Sequence, residues 1–172
     1  MLSSVNTKLL INAFAFQIVW FICVQGQNLF AALATVGLVI LNQQLFKTNA
    51  KVWLVLLLFS LVGYLGDTAI TLLIDLKYSN SFETFAPIWL LSLWIAFSTT
   101  LNHSMNWLFN SPLIALAAGL LLVPLSYVAG ITLSDSAIND PYWMFIVAEG
   151  AWWAVLLVCY QLFIRPSEIT HA

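Results

Sequence analysis

The chain has 172 residues, of which 62% are hydrophobic and 7% charged, with a net charge of −2 and a mean hydropathy of +0.97. Soluble domains carry about 25% charged residues; the five Lys and Arg and seven Asp and Glu here are too few to coat a chain of this size with water, so lipid must cover most of its outside. The weak negative charge also excludes a basic field for nucleic acid and a polybasic run for anionic headgroups.

A helix needs about 20 apolar residues to cross a bilayer. Six stretches approach that length, which predicts an all-α, polytopic transmembrane bundle of about six helices in one domain covering 1–172. The first stretch covers residues 8–24. A cleaved signal peptide is the alternative there, because Val24-Gln25-Gly26 resembles a cleavage site. Gln17, Trp20 and Phe21 make a poor signal core and favour a retained helix. The second stretch covers 29–46 and ends at the doubly charged Lys47-Thr48-Asn49-Ala50-Lys51. The third covers 52–73, before the longest polar interval, Asp75 to Glu83. The fourth covers 86–109 and stops at Asn110-Ser111-Pro112, where proline is tolerated in a first helical turn. The fifth covers 113–132, with a kink expected at Pro124. The sixth covers 142–164, after an acidic loop closed by Pro141.

Lys and Arg orient such a bundle. Six crossings place Lys8, Lys47, Lys51 and Arg165 on one side and Lys77 on the other, so both termini are expected in the cytoplasm of a bacterial inner-membrane, multi-pass protein. Cys23 and Cys159 fall in apolar stretches and are expected to be buried rather than paired or metal-bound.

Charged groups inside a membrane are costly, so each is a candidate site by default. Asp67 lies 16 residues beyond Lys51, roughly 24 Å along a helix, and Glu149 lies eight residues beyond Pro141, roughly 12 Å from the opposite face. The two acids are therefore expected at similar depth in the outer half of the bilayer. Ser60, Tyr64, Asp67 and Thr71 form one polar stripe beside Gly63 and Gly66. In the fourth stretch, Ser98, Asn102 and Asn106 recur at helical spacing with Thr99 and His103 on the adjacent row, predicting a continuous polar helix face aimed into the bundle or a wet cavity. Gln17 adds an uncharged polar group in the first stretch. No second ligand has metal spacing to His103, so no metal or cofactor is expected. No P-loop, GxGxxG, HExxH, GxSxG or CxxC occurs.

Four pieces, residues 12–20, 63–67, 86–104 with its run Ala86-Pro87-Ile88-Trp89-Leu90-Leu91-Ser92-Leu93-Trp94, and Pro124-Leu125-Ser126-Tyr127 to Gly130, resemble an uncharacterised family of small bacterial inner-membrane proteins known as a domain of unknown function. The resemblance implies genes near ones similar to cyclopropane-fatty-acid synthases and flavin-containing amine-oxidase-like proteins, and so a link to membrane-lipid modification or stress. It supplies no reaction.

Three functional classes fit these residues. The first is an accessory protein that binds a membrane lipid or a lipid-modifying partner protein. The second is an intramembrane enzyme acting on a lipid or isoprenoid, with Asp67 or Glu149 as acid and His103 as base. The third is a small proton-coupled carrier. A cavity lined by Asp67 and the polar face of the fourth stretch favours a site; polar groups spent on neighbouring helices favour a scaffold.

Overall fold

The computed structural model describes residues 4–25, 28–73, 85–134 and 142–165. Lys77, the acids of the 75–83 interval, the acidic loop before Tyr142, Pro141 and His171 lie outside them. Six helices carry the described chain: α1 (Ser4–Val24), α2 (Asn28–Phe46), α3 (Ala50–Leu73), α4 (Ile88–Leu101), α5 (Pro112–Leu133) and α6 (Tyr142–Ile164). Five of them, all but α4, are long and apolar enough to span a bilayer alone. Their outer faces present Leu33, Val36, Leu54, Leu57, Leu121 and Val155, each largely exposed. An apolar exterior of this extent is stable only in hydrocarbon, and helices are the spanning structures that satisfy their own backbone there.

Helix α4 is the axis of the bundle. It packs against α1, α2 and α3, while α6 packs on α5 and α3. The small and polar side chains Ser92, Ala96, Ser98, Thr99 and Thr100 are buried along it, which lets its neighbours come close. The polar stripe of α3 faces α4: Ser60 Oγ donates to the Trp94 carbonyl at 3.2 Å, and Tyr64 Oη donates to the Ala86 carbonyl at 2.6 Å. Gly63 makes this contact possible, since a Cβ there would lie 2.2 Å from the Trp94 ring.

The fourth stretch departs from expectation. It is not one helix over 86–109; α4 ends at Leu101, turns through residues 102–105 and resumes as a tight 3-10 turn, Asn106–Asn110. At 14 residues, α4 is roughly 21 Å long, short of a hydrocarbon core of about 30 Å. The side chains of Ser98, Thr99 and Thr100 each donate to the carbonyl three residues back, on Ile95, Ala96 and Phe97. Such back-bonding competes with the helical ladder and bends helices. His103 N and Met105 N then both turn to the Thr100 carbonyl, leaving the Thr99 carbonyl without its helical donor. Asn42 Nδ2 at 3.1 Å and Asn12 Nδ2 at 3.4 Å supply donors from α2 and α1. Lower down, the Phe109 carbonyl accepts from Gln161 Nε2 at 3.0 Å and Arg165 at 2.9 Å. Non-helical backbone is tolerated at membrane depth when protein groups satisfy it in this way.

The same contacts place the start of α1 and the end of α6 on one side. Trp89 N donates to Asn28 Oδ1, so α4 starts where α2 starts, and Phe46 at the end of α2 stacks on His103 just past the end of α4. Lys8 Nζ donates to the Leu45 carbonyl, and Arg165 reaches the 3-10 turn. Lys8, Lys47, Lys51 and Arg165 therefore share one end. In α5, Pro124 has no N–H for the Leu120 carbonyl, and the backbone widens by one residue per turn over Ala118–Leu122, with Val123 N donating to the Ala118 carbonyl. The expected burial of both cysteines holds for Cys23 only; Cys159 is exposed, because its face of α6 points outward.

Candidate functional site

Asp67 and Glu149 lie at one depth, as counted from the sequence. Asp67 is six residues before Leu73 and Glu149 seven after Tyr142, each about 10 Å from the outer helix end. The fold brings them into contact. Both are 0% exposed, and their carboxyl groups are neighbours between α3 and α6. Asp67 Oδ2 accepts from Trp94 Nε1 at 2.8 Å and from the Tyr127 hydroxyl. Tyr127 in turn accepts from Trp153 Nε1 at 3.2 Å. Neither Glu149 carboxyl oxygen has a hydrogen-bond partner among the described residues.

Five residues on four helices thus form one buried polar layer: Asp67 on α3, Trp94 on α4, Tyr127 on α5, and Glu149 and Trp153 on α6. The indoles of Trp94 and Trp153 stack with centroids 4.0 Å apart and planes at 14°. Phe59 and Phe97 meet them edge-on, so the layer stands on an aromatic floor. Tyr127, Trp94 and Trp153 were not singled out as site residues from sequence. Their signal was an indole N–H or phenol O–H in the middle of an apolar helix, where such groups need a partner.

The remaining candidates are elsewhere. Asn102, His103 and Asn106 lie past the end of α4 and do not share a site with the acids. Asn102 Oδ1 accepts from Tyr160 Oη at 2.9 Å, Asn106 Oδ1 accepts from Arg165 at 2.8 Å, and His103 stacks on Phe46 at 3.6 Å. Ser98 and Thr99 serve the end of α4 itself. These polar groups satisfy the interrupted fourth crossing, and the rings of Phe59, Phe97 and Tyr160 fill the space between them and the acid layer. An acid–base pairing of Asp67 or Glu149 with His103 has no support in this geometry. Among the described residues, no three His, Cys, Asp or Glu side chains gather as metal ligands would.

Gln17 belongs to a different feature. A crevice of about 410 Å³ lies between α1, α4, α5 and α6. Trp94, Tyr127 and Trp153 form its back wall, Met105 and Leu108 lie toward its inner end, and Gln17 and Ser126 flank its outer rim. Helices α1 and α5 touch near their outer ends, where Gly130 approaches Val24 and Trp20. Below that contact the exposed side chains of Gln17, Leu122, Ser126 and Ala129 border the opening, which faces hydrocarbon. Asp67 does not line this space; Trp94 and Tyr127 stand between it and the acid pair.

An apolar exterior, an interrupted central helix and a buried acid pair define a multi-pass integral membrane protein. The chain belongs to the family described as a protein of unknown function (DUF2878), whose model matches residues 9–159. No curated protein and no solved structure matches it.

Proposed function

We propose that this protein binds a membrane lipid in the crevice between α1 and α5, in the bacterial inner membrane with both termini in the cytoplasm. The crevice carries the proposal: it is apolar, of ligand-pocket size, and opens sideways to the bilayer instead of to water. The cytoplasmic placement is supported by the shared end of Lys8, Lys47, Lys51 and Arg165. An accessory role fits best, because among the described lining residues the Ser126 hydroxyl has no His, Lys, Asp or Glu beside it to act as a base. A lipid-modifying partner protein would receive or deliver the bound lipid at the crevice mouth.

Native mass spectrometry of the protein released from lipid nanodiscs tests this. Wild type is expected to retain one lipid molecule, and Leu122→Trp or Ala129→Trp, which fill the mouth from exposed positions, to lose it while melting as wild type does. Equal retention by all three removes the proposal.

One observation favours a second reading, an intramembrane enzyme acting on a lipid or isoprenoid. The ring of Tyr127 lines the crevice while its hydroxyl donates to Asp67, so a single side chain links the space to the buried acid pair. If the protein acts on its lipid, cells carrying Tyr127→Phe accumulate a lipid that wild-type cells convert; identical lipidomes dispose of it.

A further inference from the structure

Gln17 and Ser126 are at lipid depth. Each lies seven residues from the outer end of its helix, Val24 for α1 and Leu133 for α5, or about 10 Å below that end. Both are exposed on the rim of the crevice. Neither side chain is hydrogen-bonded within the described structure. A primary amide without a partner is unfavourable in hydrocarbon, and here an amide and a hydroxyl face the same opening. Together they offer donors and acceptors to one small polar group.

The rest of the lining restricts what that group can be. No lining residue is Lys, Arg, His, Asp or Glu. The nearest acid, Asp67, is screened by Trp94 and Tyr127 and already bonded. The described cations sit at the opposite end of the bundle, where Arg165 is engaged by Phe109 and Asn106. A phosphate or an ammonium inside the crevice would be a charge in a low-dielectric space with no counter-charge, which is strongly disfavoured. A carbonyl or hydroxyl suits the rim, and the rings of Phe16, Trp20, Phe97 and Trp107 suit the hydrocarbon attached to it.

We propose, resting on the lipid-binding function above, that the crevice selects uncharged lipids, holding a carbonyl or hydroxyl oxygen between the Gln17 amide and the Ser126 hydroxyl and excluding charged headgroups. Two sources share this chemistry, a neutral glycerolipid and a prenylated quinone or prenol.

Trp20, Trp94, Trp107 and Trp153 line the space, so quenching of intrinsic fluorescence reports occupancy. The full chain in nanodiscs is titrated with three probes: a dibrominated diacylglycerol, a decyl benzoquinone and a dibrominated phosphatidylglycerol, each competed by an unquenching analogue. Saturable, competable quenching is expected from at least one neutral probe, with phosphatidylglycerol at least tenfold weaker; the neutral probe that saturates identifies the source. The double variant Gln17→Met/Ser126→Ala is expected to weaken the neutral probe by about tenfold, as loss of one to two hydrogen bonds implies. Its thermal melting should not change, because both side chains are exposed and unbonded. Phosphatidylglycerol binding as tightly as the neutral probes, or a double variant that binds like wild type, overturns the selectivity while leaving lipid binding in place. No saturable quenching from any probe, together with no lipid retained in the native spectra, overturns both.

Discussion

Replacing Asp67 separates a structural acid layer from a decorative one. Asp67→Leu is similar in shape but removes the acceptor used by Trp94 Nε1 and the Tyr127 hydroxyl. Two buried or part-buried groups then lose a bond. Each such loss costs about 1–3 kcal/mol in soluble proteins, while interhelical bonds in membranes average nearer about 0.6 kcal/mol; the sum over the two is about 1–6 kcal/mol. Asp67→Asn behaves differently. Its amide oxygen still accepts from Trp94 and Tyr127, and its amide nitrogen is a donor on the side of Glu149, so both bonds have a successor and the change should stay within about 1 kcal/mol. Unfolding followed by circular dichroism in mixed micelles of increasing denaturing-detergent fraction reads the difference directly. Asp67→Leu should unfold at a clearly lower fraction and Asp67→Asn close to wild type. A leucine variant as stable as wild type, or an asparagine variant as damaged as leucine, would show that the layer does not hold α3, α4, α5 and α6 together.

Two further predictions concern the backbone. A Cβ at Gly119 would lie 2.4 Å from the backbone of Ala154, so Gly119→Val must push α5 off α6; overpacking of this kind costs about 1–3 kcal/mol, visible as a lowered melting temperature in mild detergent, and an unchanged melt contradicts the close approach. At the end of α4, the Thr99 carbonyl keeps one donor in Asn42→Ala and loses both only when Asn12 is changed as well. The Asn12→Ala/Asn42→Ala pair should therefore lose more stability than the single variants added together, by about 0.5–3 kcal/mol of coupling; strict additivity in a double-mutant cycle would rule out the shared carbonyl.

Much of the architecture was readable from hydropathy and charge. The six crossings followed from apolar runs bounded by residues that cannot enter hydrocarbon, and the common end of Lys8, Lys47, Lys51 and Arg165 followed from counting those crossings. The matching depth of Asp67 and Glu149 needed only the rise per residue. Their contact could not be read, because it depends on how α3 and α6 rotate about their axes, which packing at Gly63, Gly119 and Gly150 decides. The break in α4 was hidden for a stronger reason. Ser98, Asn102 and Asn106 keep perfect helical spacing, and the interruption is stabilised by Asn12 and Asn42, which lie 87 and 57 residues away from the carbonyl they serve. Local pattern favoured a continuous polar face; tertiary hydrogen bonds won. Tyr127 and Trp94 were overlooked because their rings read as apolar, and only their single polar atoms tie them to Asp67.

Where lipid sits on this protein can be mapped in living membranes. Cells fed a diazirine fatty acid incorporate it into their lipids, and irradiation joins those lipids to whatever side chains they touch. With a lipid held in the crevice, adducts should concentrate on Trp20, Leu122 and Ala129 and fall away in Ala129→Trp, with much less labelling at Leu33, Val36 and Leu54 on the outer faces. Adducts spread evenly over all of these exposed positions, and unchanged by Ala129→Trp, would mean that the crevice holds nothing the rest of the surface does not.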